Sequence, residues 1–169
     1  MAENEKIDSE SVLKSINIIN ISEVSELNLV INKFTKLEKK VLPKLLIIDS
    51  LTKPFRIELA KRPNKYNEII YRFSTILSKI FKIEKKNNIP VICSSQVTAT
   101  FEKSYFFDVI PILSTTLNHY IKNWLLFVDD ESIQKHHVGL RFVHLINSEE
   151  MQEQIVKIRI SDKGIEDAF

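Results

Sequence analysis

Glycine is nearly missing from this 169-residue chain, which has only Gly139 and Gly164. A phosphate-cradling loop of the form Gly-x-x-x-x-Gly-Lys-[Ser/Thr] depends on glycines that let the backbone approach an anion, and no such loop can be written anywhere in the sequence. Cysteine is scarcer still. Cys93 stands alone, which excludes an intramolecular disulfide and suits a reducing compartment. Neither sign of charge is in excess: 24 basic against 22 acidic residues leave a net charge of +2, so any nucleic-acid contact must be local. No run of about 18 apolar residues occurs, and the acidic, polar residues 1–11 hold no apolar signal core, so the chain reads as neither secreted nor membrane-spanning.

With 44% hydrophobic and 27% charged residues, what is present suits one globular domain with a single core. Its most informative stretch is Lys44-Leu45-Leu46-Ile47-Ile48-Asp49-Ser50. Four consecutive aliphatics predict a strand covered on both faces, and ligands of open α/β sheets sit beyond the carboxyl ends of such strands. Asp49 is therefore placed where a magnesium-nucleotide would lie, but without a phosphate loop in the same chain a structural aspartate capping the next turn is the slightly favoured reading.

Residues 1–12 read as a flexible lead and 13–169 as a single domain. Ser15 to Ile21 is short, β-branched and roughly alternating, which predicts a strand. Ser22 then suits a helix cap, and Val24, Leu27, Val30, Ile31, Phe34 and Leu37 recur at helical spacing until Pro43. After Asp49, residues 52–64 carry Pro54 and Pro63 and read as a loop or a short helical turn. A strong amphipathic helix is predicted from about Tyr66 to Lys86, then a buried strand over Ile89 to Gln96 with Pro90 at its start. This alternation predicts a parallel sheet with helical crossovers. Val97 to Leu113 reads as a loop, Ser114 to Asn123 as a short helix, and Trp124–Val128, Leu140–Ile146 and Gln154–Ile160 as strands of an antiparallel extension.

Together these segments resemble the RecA-type recombinase fold, and within it the eukaryotic and archaeal strand-exchange recombinases and their paralogs. Leu45 to Ser50 looks like the Walker B strand, and Ile89 to Val97 looks like the core strand that ends in a phosphate-sensing glutamine, here Gln96. Pro111-Ile112-Leu113 and the closing Ile158 to Asp167 match further motifs in order. Asp-Ser-x-x-x-Pro-Phe-Arg-x-Glu, residues 49–58, is closest to paralogs that assist a recombinase. The fold class this implies is α/β: a RecA-like, mostly parallel central sheet with flanking helices and an antiparallel C-terminal extension, without the phosphate-loop segment, which would lie upstream of Ile16. Two further departures are Ser95-Gln96 in place of Asn-Gln, and Ser114 in place of a glycine.

The resemblance implies Asp49, Ser50 and Gln96 as nucleotide-site residues, with ATP and magnesium held, if at all, at an interface shared between subunits. Two DNA-facing segments are implied, one with Arg56, Lys61, Arg62 and Lys65 and the other with Lys103 and Tyr105. Cations that neutralise phosphates and aromatics that stack on bases suit single-stranded DNA. A solvated basic turn, and aromatics Phe106 and Phe107 packed under a loop, are the alternatives. Gln96 can equally be an amide bonded to backbone, and Ser50 and Ser95 suit strand-end hydrogen bonds. Cys93, inside a predicted strand, reads as an inert packed thiol. His136-His137 has no carboxylate or cysteine at ligand spacing and reads as a surface turn.

The implied function is a recombinase-paralog subunit of homologous recombination and DNA repair. It would bind a related subunit and single-stranded DNA without independent ATP turnover, and would be nuclear if eukaryotic and otherwise cytoplasmic. The alternative is a DNA-dependent ATPase of the same family whose phosphate loop lies outside this chain. A receiver-type module with Asp49 as acceptor is disfavoured, because Asn17, Asn20 and Ser22 supply no acidic pair at the first strand.

Overall fold

Ile69, Phe73, Ile76, Leu77, Ile80 and Ile83 fall three or four residues apart along one face, and that face is buried in a helix of 22 residues, Tyr66–Asn87. The molecule is described by a computed structural model over residues 8–99, 109–129, 139–148 and 150–168. It divides into two compact units, Met1–Ile112 and Leu113–Phe169. The expected lead falls partly on residues 1–7, outside the described residues, and partly on helix α1 (Ser9–Ser15), which Asp8 caps by accepting from Glu10 N.

In the first unit, helices α2 (Val24–Lys36), α3 (Lys53–Lys61) and α4 (Tyr66–Asn87) pack together. Helix α2 starts one residue later than a Ser22 cap implies. Glu26 reaches back to the Ser22 and Glu23 amides at 2.7 and 3.1 Å, and these two donors hold its carboxyl below the usual range. Helix α4 stops at Asn88, which takes the left-handed conformation, and Pro90 prevents a restart. Val24, Leu27 and Ile31 of α2, Phe55 of α3, and Leu51 and Ile89 join the buried set, with the Phe55 and Phe73 rings edge-to-face at 4.7 Å.

Strands β1 (Leu46–Ile48) and β2 (Val91–Cys93) pair in parallel, Leu46 against Val91 and Ile48 against Cys93. This bears out the strand–helix–strand order. The expected mostly parallel central sheet is smaller, however, since among the described residues the parallel part is this two-stranded pair. It is also not covered on both faces: Ile47 and Ile92, cross-strand partners, are 61% and 55% exposed. The predicted strand over residues 15–21 does not form. Helix α1 takes Ser15, and residues 16–22 pair with no described strand, leaving Ile16, Ile18 and Ile19 exposed. A β-branched run becomes a strand only where a neighbour offers a ladder.

Residues 52–64, read as a loop or a short helical turn, contain the nine-residue helix α3. Pro54 lies in its first turn, where a missing N–H costs no hydrogen bond, and Pro63 opens a 3-10 turn in the same way. Within the segment read as a loop over Val97 to Leu113, β3 (Val97–Ala99) and β4 (Val109–Pro111) form an antiparallel pair. Burial raises the Cys93 thiol to about 11, consistent with an inert residue.

The second unit carries the short helix α5 (Ser114–Leu117), shorter than the helix predicted to Asn123, and a four-stranded antiparallel sheet. Its strands are β5 (Trp124–Asp129), β6 (Leu140–Asn147), β7 (Gln154–Ser161) and β8 (Gly164–Asp167), in that order, and β8 is an addition to the predicted set. Both glycines of the chain are committed here. Gly139 has φ +90° and a Cβ on it would lie 2.2 Å from the Ile160 carbonyl oxygen, while Gly164, at φ +106°, forms the β7–β8 turn. Where a glycine is expected after Leu113, the left-handed residue is Leu113 itself, at φ 64°.

Candidate functional site

Parallel pairing brings the carboxyl ends of β1 and β2 to one edge, and the polar residues that follow each strand meet there. The ladder runs on past the strands, with Ser94 N donating to Ile48 O and Leu51 N to Ser94 O, each at 3.0 Å. This sets Ser94 beside Asp49, and the Ser94 hydroxyl donates to Asp49 Oδ1. The Asp49 carboxylate is exposed and its peptide bond to Ser50 is cis.

Thr52 is the hub under this edge. Its side chain is fully buried, and Oγ1 accepts from Gln96 N at 3.1 Å and lies 3.3 Å from Ser95 Oγ and 3.5 Å from Ser50 Oγ. A buried hydroxyl needs such partners, and here they tie the turn after β1 to the turn after β2. Above it, Arg56 Nη1 donates to Gln96 Oε1 at 3.0 Å. The Gln96 carbonyl accepts from Ile112 N at 2.9 Å, which joins this edge to the β3–β4 pair.

The structure therefore brings Asp49, Ser50 and Gln96 together and adds Arg56 to them. Lys61, Arg62 and Lys65 lie elsewhere, about one and a half turns or more beyond Arg56 along α3 and the turn after it. All three are exposed. Arg62 lies 3.8 Å from Glu58, which also holds Arg72, and Lys65 lies 3.2 Å from Glu68. The Lys65–Glu68 pair is exposed on both sides and contributes about 0–1 kcal/mol, whereas Glu58 is part-buried. Lys103, Tyr105, Phe106, Phe107, His136 and His137 lie outside the described residues.

Reading the sequence alone does not single out Ser94 or Thr52. Ser94 has a visible signal in its place directly after an aliphatic strand. Thr52 has only its position before Lys53-Pro54, an ordinary helix start.

A family model described as Rad51 matches residues 1–168. The chain belongs to the Rad51 family. A search of curated proteins finds no match. Rad51-family proteins are RecA-type recombinases associated with DNA recombination and repair, which generally bind ATP with magnesium and work as oligomers on single-stranded DNA. Against that family the edge fits one half of a nucleotide site. Asp49 uses one oxygen on Ser94 and keeps lone pairs for a magnesium water shell, in the manner of a cation bound through one carboxylate and substrate phosphates. No group of three histidine, cysteine or acidic residues among the described residues forms an all-protein metal cage. The phosphate half does not fit, because both glycines lie at turns of the antiparallel sheet and not at a strand-to-helix loop. Among the described residues no helix is long and apolar enough to cross a membrane.

Proposed function

We propose that this Rad51-family chain is a paralog-type subunit that contributes Asp49, Ser50 and Gln96 to a nucleotide site completed by a related subunit, and that it binds single-stranded DNA through Arg56, Lys61, Arg62 and Lys65. The carrying observation is the hydrogen-bonded edge of Asp49, Ser94, Thr52, Gln96 and Arg56, built without a phosphate cradle in the same 169 residues. Lys103 and Tyr105 belong to the same DNA reading. A chain of this kind has no ATP turnover by itself and acts in the nucleus if eukaryotic, otherwise in the cytoplasm.

Two features support dependence on a partner. The two-stranded parallel sheet presents Ile47 and Ile92 to solvent, and such a small sheet with open edges invites pairing. The DNA part is tested by titrating a fluorescent single-stranded oligonucleotide at several salt concentrations. Arg56→Ala combined with Arg62→Ala is expected to weaken binding and to flatten the log–log salt slope by about 1.4, the share of two released counterions on single strands. An unchanged slope removes these residues from the interface.

A further inference from the structure

The two acids that hold the cations of the α3–α4 turn converge on one guanidinium. Glu58 Oε1 lies 3.8 Å from Arg62 Nη1 and accepts from Arg72 Nη2 at 2.5 Å. Glu68 stands between two cations, its Oε2 3.2 Å from Lys65 Nζ and its Oε1 3.8 Å from the same Arg72 Nη2. A glutamate four places before a cation on one helix is in the favourable order, so Arg72 offers Glu68 a good partner that Lys65 keeps it from fully using. Arg72 is itself unfilled. Its Nε is buried and meets no acceptor among the described residues, although Nε and Nη2 share the guanidinium edge that matches the two oxygens of a carboxylate. A buried donor left without an acceptor is costly, and the nearest half-exposed carboxylate able to move onto it is Glu68.

We propose that Arg72 is a reserve partner for Glu68: when a phosphate of single-stranded DNA takes Lys65, the Glu68 carboxylate closes onto the open Nε–Nη2 edge of Arg72 instead of standing unpaired beside the DNA. This rests on the reading of Lys65 as a DNA contact and makes Arg72 a positioning residue that does not touch the nucleic acid. At rest Glu68 occupies Lys65 as a phosphate would. On DNA an exposed, weakly held pair is exchanged for a bidentate one a turn further along α4. Arg62 is served in the same way, since the part-buried Glu58 stays on Arg72 when Arg62 leaves it.

The test uses the full chain and a fluorescent single-stranded oligonucleotide, with Arg72→Lys placed in the native chain, in Glu68→Gln and in Lys65→Ala. Lysine keeps the charge but lacks the edge. Arg72→Lys is expected to weaken binding about twofold in the native chain, the share of one helical ion pair, and to have no effect in the other two backgrounds. Equal weakening in all three means that Arg72 acts only through the packing of α4, and overturns the proposal. So does an unchanged affinity in the native chain. A second measurement needs no change at Arg72: in proton–nitrogen correlation spectra its Nε–H resonance is expected to move downfield when oligonucleotide is added to the native chain and to stay in place in Glu68→Gln. A resonance that stays in place in the native chain, or moves equally in Glu68→Gln, overturns the proposal as well. If Lys65→Ala flattens the salt slope by about 0.7 while Arg72→Lys has no influence, the reserve fails and the DNA-binding reading stands. If Lys65→Ala changes neither affinity nor slope, Lys65 leaves the interface and the proposal falls with it.

Discussion

Phe73→Ala is expected to destabilise the Met1–Ile112 unit by about 3–5 kcal/mol, the largest effect of any single substitution considered. Phe73 is 0% exposed in the middle of α4 and stands edge-to-face on Phe55, which is equally buried on α3. Removing the ring forfeits its transfer free energy and leaves a cavity among Ile69, Ile76, Leu77 and Phe55 that helices already packed on one another fill only in part. Total stabilities of domains lie near 5–15 kcal/mol, so this is a large share of what holds the unit together. In urea titrations followed by far-UV circular dichroism, the midpoint should fall by about 2 M for a slope near 2 kcal/mol/M. A shift below about 0.5 M would mean that the α2–α3–α4 core is not packed as described.

Thr52→Val is expected to cost about 1–3 kcal/mol although it preserves shape. Valine removes the Oγ1 that accepts from Gln96 N and that lies against Ser95 and Ser50, leaving a part-buried amide donor without a partner. The loss should register twice. Thermal denaturation should show a lower midpoint, and amide exchange should quicken at Gln96, whose orientation depends on that bond. Thr52→Ser, which keeps the hydroxyl, should recover most of the exchange protection. If Thr52→Val leaves the Gln96 amide as protected as in the native chain, Thr52 is not the hub of this edge.

These two residues show how differently parts of the molecule could be read. Phe73 belongs to a pattern of apolar residues at helical spacing, and such a pattern marks its own buried face wherever the helix docks. The strand ending in Asp49 was equally legible, because an aliphatic run stopped by a carboxylate has few other uses in an α/β chain. The full length of helix α3 was hidden by Pro54 and Pro63, which punctuate loops but are also welcome in the first turn of a helix. The alternating residues 15–21 misled in the opposite direction, since alternation describes a face while a ladder needs a neighbour. Four aliphatics over Leu45 to Ile48 implied cover on both faces, and Ile47 is open on one.

At the candidate site, the positions of Asp49 and Gln96 beyond the strand ends were legible because strand direction alone sets them. That Arg56 belongs with Gln96, and not with Lys61, Arg62 and Lys65, could not be seen. Nearness in sequence grouped the four cations, whereas the hydrogen bond from Arg56 to Gln96, beyond the end of β2, sets the first apart from the rest. Ser94 and Thr52 are likewise products of register, and they became visible only when the ladder continued past the strands.

On the function proposed above, these 169 residues hold the strand-edge half of a nucleotide site and not the phosphate half. The most direct measurement is magnesium-dependent ATP hydrolysis by the purified chain alone, with and without single-stranded DNA, beside Asp49→Asn. No release of inorganic phosphate above the buffer rate is expected from either protein. Steady turnover by the native chain that disappears with Asp49→Asn would contradict it.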